Sequence, residues 1–224
     1  MDKREVLRRI SEVGVVPVVR AASAEEALAV VEAIKAGGVP IIEITLTVPG
    51  AVGVISEIAA RYHDEVLVGA GTVLDAETAR ACILAGAQFV VSPSLNPDTI
   101  EMCGRYGVAV CPGALTPTEV VTAWQAGADV VKVFPCGAVG GAKYLRALKG
   151  PLPQVDLMPT GGVSLATAEE FIKAGAFALG VGTDLVDTEA VRAGQAHKVT
   201  EAARSYLELV RGARARVEAG RFNT

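Results

Sequence analysis

The stretch Ala126-Gly127-Ala128-Asp129-Val130-Val131-Lys132-Val133-Phe134-Pro135 decides the fold. A small residue and a glycine stop a helix, because glycine takes the left-handed conformation without a Cβ penalty. A one-residue polar link follows, and then an apolar run that reads as a buried strand. The phrase recurs. Ala36-Gly37-Gly38 precedes Ile41-Ile42-Glu43-Ile44, and Ala85-Gly86-Ala87 precedes Phe89-Val90-Val91. Tyr106-Gly107 precedes Val108-Ala109-Val110, and Ala174-Gly175-Ala176 precedes Phe177-Ala178-Leu179. The runs are continuously apolar rather than alternating, as expected of a parallel sheet covered on both faces.

Helix starts are marked as clearly. Ser23 with Glu26 and Thr116 with Glu119 have capping-box spacing. Asn96-Pro97 and Thr116-Pro117 place a cap residue before a proline at the first helical position, and Asp75 and Ser164 cap two more helices. After Thr116, the residues Val120, Ala123 and Trp124 fall at helical spacing and are expected to face the sheet.

Strands are expected near 15–19, 40–46, 66–70, 88–92, 108–111, 129–134, 155–159 and 177–181. Eight units in the chain leave about 28 residues each, close to what a strand, a helix and two short loops need. The expectation is one domain over 1–224, an α/β chain forming a single (β/α)8 TIM barrel with extra terminal helices. A helical extension is expected over about 199–224, with Tyr206, Leu209 and Val210 on one face and five arginines from Arg204 to Arg221. The alternative is a doubly wound open sheet. That fold usually carries a glycine-rich dinucleotide fingerprint after its first strand, whereas Val15 to Arg20 leads into Ala21-Ala22-Ser23.

Composition narrows the function. The 224 residues are 51% hydrophobic and 4% aromatic, with 24 glycines and a net charge of −4. Disorder, collagen and a disulfide scaffold are excluded. A mildly acidic chain with one tryptophan lacks the basic surface and stacking rings of a nucleic-acid binder. The charged start Met1-Asp2-Lys3-Arg4-Glu5 leads into no apolar signal, and the apolar runs are too short to span a membrane. Cys82, Cys103, Cys111 and Cys136 show no CxxC pairing and read as small buried hydrophobes of a cytoplasmic protein. His63 and His197 are the only histidines and sit in no ligand-spaced cluster, so neither a metal nor another cofactor is expected.

Polar residues that interrupt apolar strands mark the site, which in a barrel lies at the C-terminal strand ends. Side chains alternate along a strand, so Val130, Lys132 and Phe134 share one face. If that face is the interior, desolvation favours the free amine, the nucleophile for a Schiff base with a ketone. The plainer reading is a lysine reaching to solvent from a strand end. Glu43 shares a face with Ile41, Thr45 and Thr47 and suits a general acid/base, or an ion pair with Lys132 or Arg20. Arg20 closes the first strand and suits a carboxylate or phosphate, or a rim salt bridge. Thr72 follows Gly71 and offers a hydroxyl to an anionic oxygen, while Ser92-Pro93-Ser94 ends the fourth strand as turn chemistry. Thr160-Gly161-Gly162-Val163-Ser164 and Gly180-Val181-Gly182-Thr183 follow strands seven and eight, whose loops often hold phosphate in barrels.

The runs Val68-Gly69-Ala70-Gly71-Thr72-Val73, Val90-Val91-Ser92-Pro93, Lys132-Val133-Phe134-Pro135 and Pro159-Thr160-Gly161-Gly162-Val163 resemble the class I 2-keto-3-deoxy-6-phosphogluconate (KDPG) and 4-hydroxy-2-oxoglutarate (KHG) aldolases. The resemblance covers Val15 to about Asp187. It implies a homotrimeric barrel without metal that cleaves KDPG to pyruvate and glyceraldehyde 3-phosphate in the Entner–Doudoroff pathway, and in some members KHG to pyruvate and glyoxylate. The substrate would be a phosphorylated 2-keto acid. Carried over by resemblance, Lys132 is the Schiff-base lysine, Glu43 the acid/base, and Thr72 and Pro93 surround the pyruvate moiety. Arg20 matches the arginine at the end of strand one, and Phe134 the ring beside the imine. Thr160 matches the residue linked to stereochemistry at the aldol carbon. Gly161, Gly162, Gly182 and Thr183 fall on the phosphate loops, Thr183 where the family often has serine. Thr47 departs: well-known members carry there an arginine that binds the pyruvate carboxylate, so Thr72, Arg20 or backbone N–H groups would carry that task. The other readings are an aldolase for a related 2-keto-3-deoxy sugar acid, a phosphosugar isomerase or epimerase, and a non-catalytic phosphometabolite sensor in which Lys132 and Glu43 are a structural ion pair.

Overall fold

The computed structural model describes residues 1–221. Residues 222–224 of the expected C-terminal extension lie outside the described residues. Strands are β1 Val15–Val19, β2 Ile41–Thr45, β3 Leu67–Gly71, β4 Phe89–Val91, β5 Ala109–Cys111, β6 Gly113–Ala114, β7 Val131–Val133, β8 Leu157–Pro159 and β9 Leu179–Val181. Helices are α1 Lys3–Val13, α2 Ala24–Ala36, α3 Ala51–Tyr62, α4 Ala76–Leu84, α5 Pro97–Tyr106, α6 Pro117–Gln125, α7 Ala142–Lys149, α8 Leu165–Lys173, α9 Thr188–Arg192 and α10 His197–Arg221. All eight expected strands form: β1 with its expected bounds, β3 one residue further along, and the rest one to three residues shorter in all.

Every strand pair is parallel. One ladder runs β5-β4-β3-β2-β1-β9 and a second runs β6-β7-β8. A parallel bridge between Thr160 and Gly180 links the second ladder to β9. At the other end β5 and β6 are parted only by Pro112, which has no N–H to give the ladder. Its carbonyl still accepts the Lys132 N–H at 2.9 Å. The result is a curled parallel sheet with helices outside it.

The alternation of strand side chains divides the core in two. Ile42, Ile44, Val68, Ala70, Val90, Val131, Val133 and Leu179 pack outward against the helices. Val16, Ile41, Leu67, Phe89, Ala109, Val130, Met158 and Ala178 fill the inside of the curl. Val6 and Ile10 of α1 join this inner set, so the amphipathic N-terminal helix plugs the end away from the C-terminal strand ends. Gly69 leaves room there for the Phe89 ring, 2.3 Å from where a Cβ would stand.

Caps follow the sequence closely. Asn96, Asp75 and Thr116 each accept the N–H three residues on, and Thr116 with Glu119 completes a capping box. Ser23 accepts the Glu26 N–H at 3.2 Å, but the Glu26 carboxylate turns back to Ala22 N–H, so that box is half made. At Ser164 the Thr167 hydroxyl accepts the cap residue's N–H at 2.9 Å.

One core expectation is corrected. Val120 and Ala123 are fully buried, whereas Trp124 is 43% exposed. Short α6 presents only a narrow stripe to the sheet, and Trp124 stands one step round the helix from Ala123. In α10, Val199, Ala203, Tyr206, Val210 and Ala213 are buried and Leu209 is half-buried. One of its arginines is structural: Arg214 donates to the carbonyls of Ser11, Glu12 and Phe177, tying α10 to the α1 end of the molecule.

Candidate active site

β7 sets Lys132 on the inner face, where it is 2% exposed, and β2 sets Glu43 there at 1%. Neither forms a salt bridge among the described residues, and both carboxylate oxygens of Glu43 lack a hydrogen-bond partner. The structural ion pair that a sensor would need is therefore not made. Burial pushes the Glu43 carboxyl above its ordinary range, and the charges of Lys132 and then Arg20 pull it part of the way back. An unpartnered buried carboxylate facing a lysine is costly to fold and is free to take a proton from a ligand. The Lys132 ammonium position lies 5.1 Å from the centre of the Phe134 ring, two residues along the same face.

The neighbouring strand is shaped to Glu43. A Cβ at Gly71 would stand 2.0 Å from Glu43 Oε1, so only glycine fits beneath the carboxylate. Thr72 follows at φ +59, the left-handed region, which is strained for a β-branched residue. Its flanks are pinned by the Leu46 N–H to Gly71 O bond (2.8 Å) and the Val73 N–H to Val91 O bond (3.2 Å). Strain that the surroundings hold in place marks Thr72 as a group the fold positions.

A cavity of about 130 Å³ opens beside the Lys132 and Glu43 pair; Phe134, the ring next to Lys132, is one of its walls, while Lys132 and Glu43 themselves do not line it. Its walls include Arg20, Phe134, Thr160, Gly161, Gly162, Gly182 and Thr183, seven of the residues singled out in the sequence. Arg20 is exposed and makes no salt bridge among the described residues, so the rim salt bridge is absent there. Thr160 is buried with its hydroxyl unpartnered; a Cβ on Gly180 would lie 2.2 Å from that oxygen. The Gly161–Gly162 turn packs on backbone, with Gly137 N–H donating to Gly161 O at 2.8 Å.

Besides Lys132 and Glu43, three expected residues do not line the cavity. Thr47, exposed past β2, hydrogen-bonds the Thr45 hydroxyl at 2.7 Å. The Thr45 hydrogen goes to Val19 O at 2.9 Å, so Thr47 is the donor and its hydroxyl is committed to the scaffold. Pro93 is half-buried, and its backbone passes so close to Gly113 that a Cβ there would sit 2.3 Å away. Thr72 borders Glu43 through Gly71 rather than the cavity. The sequence reading missed Val18, Val163 and Asp184, which also line that cavity. The only signal for Asp184 was its place after Thr183, and an acid beside an anion loop argued against it.

Among the described residues no group of three or more His, Cys, Asp and Glu is placed to hold a metal. Nor, among these residues, is any helix long and apolar enough to cross a membrane.

Residues 6–202 match the family model described as KDPG and KHG aldolase. The chain is 35% identical over 205 residues to a 2-dehydro-3-deoxy-phosphogluconate aldolase of Treponema pallidum (strain Nichols), covering 92% of this chain and 97% of that one. It is 36% identical over 200 residues to a 2-dehydro-3-deoxy-6-phosphogalactonate aldolase of Escherichia coli (strain K12), covering 88% and 95%. Among solved structures it is similar to a KDPG aldolase from Legionella pneumophila in which pyruvate is captured as a covalent carbinolamine intermediate. The TM-score is 0.83 at 29% identity, covering 90% of this chain and 97% of that one.

Proposed function

The chain belongs to the KDPG and KHG aldolase family, and from that premise we propose that Lys132 and Glu43 are the working pair of a class I aldolase that cleaves KDPG to pyruvate and glyceraldehyde 3-phosphate. The observation that carries the assignment is the buried Lys132 and Glu43, neither in a salt bridge, on the inner face of the sheet, with Phe134 standing between Lys132 and a cavity walled by glycine loops.

The Lys132 amine attacks the C2 ketone. Glu43 moves the protons that turn the carbinolamine hydroxyl into leaving water, giving a protonated imine. Glu43 then takes the C4 hydroxyl proton, the C3–C4 bond breaks, and its electrons pass to the imine nitrogen as an enamine. The aldehyde leaves. Protonation at C3 and hydrolysis release pyruvate and restore the lysine. The backbone N–H groups of Gly161, Gly162, Gly182 and Thr183, with Arg20, hold the phosphate, and remote binding energy aligns the reacting carbons. Thr72 and backbone near Pro93 meet the keto-acid carboxylate, since the Thr47 hydroxyl is committed to Thr45. Phe134 packs beside the imine, and Thr160 offers its free hydroxyl to the oxygen at C4.

The relatives named for the gluconate and galactonate acids are almost equally similar, so identity alone does not choose between the C4 epimers. We take the gluconate form as the main substrate and KHG as a second one, in line with the family the chain matches. The rest of the reading is a single domain over 1–224 whose two ladders form one closed (β/α)8 barrel. The Thr160–Gly180 bridge and the continuity of β5 with β6 support closure. We place the enzyme in the cytoplasm, as a homotrimer in the Entner–Doudoroff pathway, working without metal or cofactor. Four free, buried cysteines suit a reducing compartment.

Pyruvate release followed through lactate dehydrogenase and NADH tests the assignment. KDPG should support turnover that EDTA leaves unchanged. Absence of pyruvate from KDPG and from KHG would remove the aldolase assignment.

A further inference from the structure

Asp184 poses a problem for a phosphate pocket. It lines the cavity next to Thr183 and carries the same sign of charge as the ligand. Its hydrogen bonds show where that charge is directed. Asp184 Oδ2 accepts the N–H of Leu165 at 3.1 Å and the phenolic O–H of Tyr206. Leu165 is the first residue of α8, four positions after Gly161. Tyr206 lies wholly buried on α10. A single carboxylate oxygen therefore joins three separate segments: the loop after β8, the loop after β9, and the long C-terminal helix. An anion at a helix N-terminus is favourable in itself, and a bond to a charged acceptor is stronger than a neutral one. Burial and the adjacent carboxylate both push the Tyr206 phenol upward, so it stays a donor throughout the neutral range.

We infer that Asp184, held by Tyr206, is a positioning residue for the phosphate end of the substrate. It fixes the spacing between Gly161–Gly162 and Gly182–Thr183 so that their N–H groups converge on one anion. It gives its own charge to the α8 N-terminus and the phenol rather than to the ligand. The inference rests on the aldolase reading above, and it gives α10 a part in substrate selection that its distance in sequence conceals.

Steady-state kinetics on two substrates tests it, because KHG has no phosphate. Tyr206→Phe removes one oxygen and keeps the ring. KM for KDPG should rise ~10-fold with kcat within about twofold, and kcat/KM for KHG should stay within about twofold, as expected for one lost charge-assisted hydrogen bond. Competitive inhibition by inorganic phosphate should weaken by a similar factor. Asp184→Ala should behave like Tyr206→Phe, while Asp184→Asn, which keeps an acceptor oxygen, should stay within ~3-fold of wild type. Thermal melts accompany each variant, and the Asp184 pair carries the test if Tyr206→Phe does not fold. An unchanged KM for KDPG, or an equal loss on KHG, overturns the bridge while leaving the aldolase standing. A wild-type protein that turns over neither acid overturns both.

Discussion

Glu43 is the residue whose physics is most exposed to test. Burial holds its carboxyl above the ordinary range against the pull of Lys132 and Arg20. With the folded value raised, its contribution to stability is full below the unfolded value and is lost as pH rises through the folded one. At neutral pH the charged form is a net cost. Glu43→Gln should therefore raise Tm by ~2–4 °C, about 1 kcal/mol for a chain of this size. The same change should lower kcat by ~10²–10⁴-fold. The acid limb of kcat/KM should fall above the ~4.3 of an ordinary glutamate and vanish from the residual activity of the variant. A stability loss in Glu43→Gln, or an acid limb at the ordinary value, would show that the carboxylate is partnered. This pair was legible in the sequence because a lysine and a glutamate each stand alone inside an apolar run. Thr47 was legible only as a departure, since its bond to Thr45 depends on a turn that the sequence does not show.

At the scale of elements, glycines decide what the strands can hold. Gly71→Ala would drive a methyl group into Glu43 Oε1, 2.0 Å away. A shift of the carboxylate by about 1 Å is enough to cost ~10²-fold in kcat. The overpacking should cost ~1–3 kcal/mol, so the variant stays folded and its melt separates the two effects. At the opposite end, Ile10 of α1 is buried in the inner core. Ile10→Ala should destabilise by ~2–5 kcal/mol while leaving kcat within about twofold, because stability and chemistry sit at opposite ends of such a sheet. A kcat loss matching the stability loss would deny that separation. Caps and helix-stopping glycines were readable because they act within four residues. The stop at Pro112 was readable, as a proline just past the expected strand 108–111, but the continuation into β6 was not. Trp124 was misplaced because helical spacing alone does not give the width of the stripe that α6 buries.

Across the whole molecule, the candidate site draws on β1, β2, β3, β4, β7, β8 and β9 together with the loops that follow them. The parallel arrangement followed from the repeat. The long-range ties did not, because their partners are far apart in sequence: Asp184 to Tyr206, and Arg214 to Ser11 and Phe177. A run of arginines on an amphipathic helix reads as a solvated face until its carbonyl partners are known. The central claim is that this architecture places one desolvated amine, that of Lys132, where a ketone reaches it. Borohydride reduction in the presence of pyruvate, followed by peptide mass mapping, tests this most directly. The account predicts one stable adduct, on the peptide containing Lys132, and none in Lys132→Ala. An adduct on another lysine, or no adduct while pyruvate is still released from KDPG, would contradict it.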